Sequence, residues 1–214
     1  GGRHARFLGN PMMDELDAPA LAWSTSAPRV AVLPGSRDAA ALSLGLIVQA
    51  LARLPRASAA VAWVPLEDPP TPEGWSVSRA PDGGLAWQQG DVEVRFVRNQ
   101  FASILQWAEM AVGTSGTAHE QAAGLAVPVV TFVLGGAHGV SYVAKQRRLL
   151  GGALEVVPRD PAAIAAALHM LAKDPAVRRA RGDEGRVRMG PSGGSQRIAR
   201  HILADAGLPP AVAT

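Results

Sequence analysis

Cysteine is absent from the 214 residues, which excludes disulfides, thiolate nucleophiles and cysteine metal ligands and leaves the redox compartment open. Charge of one sign is also scarce: the formal net charge is +3, too small for a field that would hold nucleic acid. No run of about eighteen apolar residues occurs, and the glycine-rich start has no signal-peptide apolar stretch. The expectation is a soluble, cytoplasmic protein, peripheral at most to the inner face of a membrane. Several catalytic signatures are missing too. There is no GxGxxG fingerprint and no Walker loop. The stretch GTSGT at 113–117 has Thr117 where a nucleophile elbow needs glycine, and His119-Glu120 lacks the second histidine of a zinc helix. No metal site and no cofactor are expected.

What is present is a chain rich enough in hydrophobic residues, at 48%, to bury a sizeable core in one large domain or one domain with appendages. Its 23 glycines and 17 prolines imply many tight turns, as where strands and helices alternate. Residues 29–35, RVAVLPG, form an apolar β-branched run ending in a turn, followed by leucines and an isoleucine at helical spacing through residue 54. A second buried-type strand spans 59–65. Pro65, Pro69, Pro70 and Pro72 then forbid a long helix. Residues 75–97 alternate apolar and polar around PDGG and QQGD, predicting short strands or a hairpin. From there the order is helix 101–108, strand 109–113, helix 117–126, strand 127–133, a glycine-rich loop, helix 141–150, strand 153–157 and helix 160–173. Asp160 is its N-cap, with Pro161 at its first position. Helices 175–189 and 192–205 close the chain. This alternation predicts an α/β fold, a Rossmann-like parallel sheet with helices on both faces, and a ligand at the carboxyl ends of the strands.

Residues 1–28 fall outside the alternation and are expected to be the tail of another domain plus a linker. Residues 29–190 are the core domain and 191–214 a terminal helix and tail. Seven arginines lie between positions 178 and 200, relieved by Asp183 and Glu184. A solvated helical face and a patch for phosphates or an anionic membrane surface both fit them.

Two glycine-containing turns at strand ends are the candidate chemistry. In LPGSR the amides of Gly35 and Ser36 can point at an anion, and Arg37 adds a forked positive charge. In GTSGTAHEQ, Gly113 and Gly116 permit close approach, Thr114, Ser115 and Thr117 offer hydroxyls, and a helix start offers its partial positive charge. Glu120 is expected on the ligand side of that helix, where a carboxylate suits the vicinal hydroxyls of a ribose, or else serves as a helix-start charge.

Taken together, FLGNPMMDEL, VAVLPGSR, AEMAVGTSGTAHEQAAGLAVPVVTF, AKQRRLLGG and SQRIARHIL resemble the carboxyl-terminal half of lipid-A-disaccharide synthase and related proteins, with gaps, from residue 7 to about residue 203. The strongest pieces also resemble UDP-N-acetylglucosamine 2-epimerases. The resemblance implies the GT-B architecture: two Rossmann-like domains, an acceptor-binding amino-terminal one, absent here, and a carboxyl-terminal one that binds the UDP-sugar donor. It implies that Gly35, Ser36 and Arg37 meet the diphosphate, with Arg37 stabilising the leaving group. Ser115, Gly116 and Thr117 would cradle phosphate, and Glu120 would bind the ribose. The loop of Arg98, Asn99 and Phe101 would hold the uracil, largely by backbone, while Gln196 and Arg197 approach the donor. The implied reaction is hexosyl transfer to a lipid-linked or sugar acceptor with release of UDP, the general base coming from the other domain. An epimerase half and a non-catalytic nucleotide-sugar module are the alternatives. Where the family usually has histidine, this chain has Asn10.

Overall fold

The computed structural model describes residues 6–35, 39–135 and 139–208. The strands are β1 (Arg29–Leu33), β2 (Ala57–Ala62), β3 (Ser76–Arg79), β4 (Leu85–Gln89), β5 (Val92–Val97), β6 (Met110–Gly113), β7 (Val129–Phe132) and β8 (Leu154–Val157). The α-helices are α1 (Ala39–Leu51), α2 (Phe101–Trp107), α3 (Gly116–Gly124), α4 (Val140–Leu150), α5 (Pro161–Lys173), α6 (Pro175–Met189) and α7 (Gly194–Asp205). Each expected strand–helix unit is present. The segment 75–97 is a three-stranded antiparallel meander, β3 to β5.

The strands form one sheet in the order β3-β4-β5-β2-β1-β6-β7-β8. From β5 to β8 all pairings are parallel; β4 runs against β5 and β3 against β4. The chain starts in the middle at β1, adds β2 beside it, passes to the edge strand β3 and returns through β4 to β5 beside β2, then crosses to β6 on the other side of β1. Order therefore reverses between β1 and β6, and the diverging loops there leave a crevice at the carboxyl ends of the strands.

Alternation along β1 shows how the layers form. Val30 and Val32 point into a core with Ile47 and Leu51 of α1 and Ile164 and Leu168 of α5. Ala31 and Leu33 point to the other face, against Ile104 and Leu105 of α2 and Ala122 and Ala123 of α3. A sheet buried on both faces explains why β1 reads as an unbroken apolar run. Asp160 caps α5 as expected, its carboxylate accepting from the Ala163 amide at 2.9 Å.

Residues 6–28 contain no strand, but they are built into the second face. Met13, Leu16 and Trp23 are buried there. Trp23 stacks on Trp107 at 4.8 Å, accepts the Trp107 indole N–H on its carbonyl at 2.9 Å, and carries the Arg95 guanidinium 3.9 Å above its ring. Asp14 then joins the two ends of the chain. Its carboxylate accepts from the amides of Gly193, Gly194 and Ser195 at the start of α7. Bonds from the Ser195 hydroxyl and amide pull its pKa from 3.8 down to about 2.

This sets an acid limit on the α7 junction. The folded state holds Asp14 as a carboxylate, whereas the unfolded chain binds a proton near 3.8. Between those values unfolding takes up a proton, so the contribution is full above about pH 4 and lost as pH falls toward 2. Protection of the α7 amides, measured relative to their intrinsic exchange at each pH, should fall across that window, and Asp14→Asn should remove the pH dependence; protection that is flat in the wild-type chain would refute the assignment.

The arginines of α6 are mostly tied down. Arg178 pairs with Glu109 at 3.1 Å, Arg181 with Glu155, Arg186 with Asp183 at 2.6 Å and Arg188 with Glu184 at 2.8 Å. These pairs favour the solvated-face reading over an open anion patch. Among the described residues no helix is long and apolar enough to cross a membrane.

Candidate functional site

The crevice between β1 and β6 is closed from below by backbone. Leu33 and Gly113 are register partners at the ends of the two strands, and a Cβ on Gly113 would stand 2.1 Å from the Leu33 carbonyl oxygen. The Thr114 amide donates to that same oxygen at 3.1 Å. Buried Thr114 Oγ1 lies 3.3 Å from the Pro34 carbonyl and 3.1 Å from Ser43 Oγ, so its hydroxyl stitches the two turns and α1 together. A Cβ on Gly35, whose φ is +93°, would lie 3.8 Å from Ser115 Cβ. The two sequence motifs therefore meet at one point.

Above this floor is a cavity of about 230 Å³. Gly35 and Leu33 line it from β1 and its turn, Ser115, Thr117 and Gln121 from α3, and Val64 and Phe101 from the loop after β2 and the start of α2. Ser115 occupies the N-cap position of α3, yet its side chain makes no capping hydrogen bond. Among these residues it thus leaves the first amides of α3 without a side-chain acceptor from their own cap, on the wall of the cavity. An anion placed there would meet those amides and the positive end of the helix dipole.

The expected site residues divide. Gly35, Phe101, Ser115 and Thr117 line the cavity together. Ser36 and Arg37 lie outside the described residues. Gly116 is buried, and a Cβ there would stand 1.6 Å from Tyr142 Oη and 2.6 Å from Gln146 Nε2, so its lack of a side chain makes room for α4. Glu120 also faces α4: its Oε1 accepts from Gln146 Nε2 at 3.5 Å, and burial raises its pKa against the effect of that bond. Gln146 in turn bonds buried His119 Nδ1 at 2.9 Å.

Arg98 is engaged by its own protein. Its guanidinium donates to the Pro65 carbonyl, to the Leu66 carbonyl at 3.1 Å and to Asp68 at 3.3 Å. With Trp63, whose indole N–H donates to the Glu67 carbonyl at 2.8 Å, it fixes the loop that carries Val64 into the cavity wall. Asn99 follows with φ +56°, turning the chain into α2. Arg197 donates to the carbonyls of Leu8 at 2.7 Å and Pro191 at 3.1 Å, and Gln196 accepts from Arg200 at 3.0 Å. Arg197 thereby ties α7 to the segment before the turn Pro11–Met13, whereas the Gln196 contact lies within α7. Asn10 caps the turn Pro11–Met13 by accepting from the Met12 amide at 3.0 Å.

Gln121 is the polar residue of the cavity lining that sequence reasoning did not single out. Its Nε2 donates to the Met12 carbonyl at 3.1 Å, which leaves its carbonyl oxygen as an acceptor for a ligand hydroxyl. The signal is present in the string HEQ, where Gln121 directly follows Glu120.

No protein-family model matches the sequence, and no curated protein sequence matches it. Solved structures do match. CalG4, the calicheamicin glycosyltransferase, superposes with a TM-score of 0.56 at 23% identity, over 86% of this chain and 44% of that one. The spinosyn forosaminyltransferase SpnP gives 0.58 at 16% identity, over 86% and 45%. UDP-GlcNAc 2-epimerase from Neisseria meningitidis, bound to UDP-GlcNAc, gives 0.52 at 14% identity, over 85% and 45%. The chain has the Rossmann-like fold of one GT-B half. It spans less than half the length of these three neighbours. In that fold the cavity at the β1/β6 reversal is where a ligand of an open α/β sheet is expected, outside the carboxyl ends of the strands.

Proposed function

We propose that this GT-B half binds the UDP-sugar donor of a glycosyltransferase. The observation that carries the reading is the cavity at the strand-order reversal, where Gly35, Ser115, Thr117 and Gln121 surround the uncapped start of α3. The diphosphate sits at the α3 amides with the hydroxyls of Ser115 and Thr117, beside Gly35, and Ser36 and Arg37, next in the sequence, are its further partners. Uracil lies between Val64 and Phe101, with backbone groups at Arg98 and Asn99 at its edge. Gln121 takes a ribose hydroxyl. Glu120 and Gln146 sit behind the helix and set its position.

The reaction is a single displacement at the anomeric carbon. An acceptor hydroxyl attacks, the bond to the diphosphate oxygen breaks, a base removes the hydroxyl proton, and UDP leaves with its charge held by helix-start amides and Arg37. The base belongs to a second domain, so this chain alone binds without turnover. The sequence resemblance to lipid-A-disaccharide synthase supports a lipid-linked sugar as acceptor, brought by a full-length enzyme working peripherally on a membrane.

Titration of the folded chain with UDP should give saturable binding, with uridine much weaker because it cannot use the α3 amides. Absence of UDP binding at millimolar ligand would sink the reading. A second reading, an epimerase half, is favoured by the likeness to a UDP-GlcNAc 2-epimerase bound to UDP-GlcNAc. Interconversion of UDP-GlcNAc with its 2-epimer by the full-length protein would decide for it.

A further inference from the structure

The amino-terminal end of the sheet, opposite the nucleotide cavity, holds a second hollow of about 240 Å³ between the end of α1 and the end of α5. Its floor is apolar and buried, formed by Val30 of β1, Met110 of β6 and Leu168 of α5. Its rim is basic: Arg56 from the turn after α1, and His169 and Lys173 from the last turns of α5. No carboxylate lines it. Of the acids adjacent in sequence to its lining, Glu109 is turned to Arg178 at 3.1 Å and Arg29 at 3.9 Å, and Asp174 accepts from the amides of Ala176 and Val177 at the start of α6.

The paired arginines lie elsewhere in the fold. Arg95, Arg98, Arg178, Arg181, Arg186 and Arg188 each have a carboxylate partner. Among the described residues Arg56, His169 and Lys173 have none. Three donors without acid partners around an apolar floor define a ligand by two requirements at once. A neutral apolar molecule would leave the cations unanswered, and an inorganic anion would leave the floor wet. We propose that this hollow binds a small amphipathic anion, a carboxylate on a short hydrocarbon body. The volume is below the roughly 300 Å³ at which drug-sized pockets begin, which limits the body to a medium-length chain. The carboxylate sits at Arg56 and Lys173, with an imidazole N–H of His169 as third donor, available in either tautomer or when protonated.

The test is titration of the chain with octanoate, followed by amide chemical shifts. Saturable shifts at Leu54, His169 and Ala172, independent of added UDP, support the site. Arg56→Gln with Lys173→Gln should weaken octanoate about fivefold, the size of two rim charges, and 1-octanol should bind about fivefold more weakly than octanoate. Ala172→Phe, which fills the hollow, should abolish the shifts. If that variant fails to fold, the charge variant still decides. Shifts that do not saturate, equal binding of octanol and octanoate, or inorganic phosphate binding as tightly as octanoate would each overturn the proposal. It does not depend on the nucleotide reading, since failure of UDP to bind leaves these outcomes unchanged.

Discussion

Gly113→Ala is expected to destabilise the chain by about 3 kcal/mol or more, at the upper end of what overpacking a core costs. The added methyl would meet the Leu33 carbonyl oxygen at 2.1 Å, its carbon at 2.6 Å and the Leu33 Cβ at 2.9 Å. Two of these are backbone atoms of the central strand, tied by β1–β6 pairing on one side and β1–β2 pairing on the other, so neither can swing away as a side chain would. For a domain of about 200 residues that loss lowers Tm by roughly 10 °C. Glycine inside a strand is otherwise unfavourable, and here its use is the convergence of the Gly35 and Ser115 turns. A control sets the opposite sign. Gly45 lies inside α1 with nothing within 4 Å of an added Cβ, so Gly45→Ala should stabilise by about 0.5–1 kcal/mol. Thermal unfolding of the two variants checks both; a Gly113→Ala shift smaller than the Gly45→Ala shift would show that β6 relaxes freely.

Legibility followed the range of the interactions. The β1 run, the Asp160 cap and the strand–helix alternation are local patterns, and each is present with element ends within about three residues of their expected places. Strand order is not local, and the crossover from β5 to β6 that creates the crevice emerges only from pairing. Residues 6–28 were illegible for the same reason. Trp23 has no periodic neighbours of its own, and its partners, Trp107 and Arg95, lie more than seventy positions away. The side-chain partners of Arg98 are equally distant: nothing in its own surroundings announces the carbonyls of a proline-rich loop some thirty residues earlier. The side of α3 that faces the cavity hinged on a smaller matter. Adjacent helical residues point about 100° apart. The helix begins at Gly116, one residue before its expected start, and in it Thr117, Ala118 and Gln121 face the cavity, whereas Glu120 faces α4.

That rotation yields the sharpest test of the nucleotide proposal. Thr117 is exposed at the cavity wall, so Thr117→Trp should cover the opening without disturbing the core and weaken UDP at least about a hundredfold, the loss of most contacts rather than one. Gln121→Ala should cost a single hydrogen bond, about tenfold in UDP affinity, and little for 2′,3′-dideoxy-UDP, which offers no ribose hydroxyl. Glu120→Ala should change either affinity no more than about twofold. Its carboxyl is half-buried with a raised pKa, so its charge becomes costly to the fold as pH rises above the ordinary carboxylate value. Glu120→Gln should accordingly gain stability relative to the wild type as pH rises from about 4 to 7. A reversed pattern, with Glu120→Ala losing UDP selectively and Gln121→Ala silent, would mean that α3 turns its other side to the ribose and that Gln146 releases Glu120 when nucleotide binds.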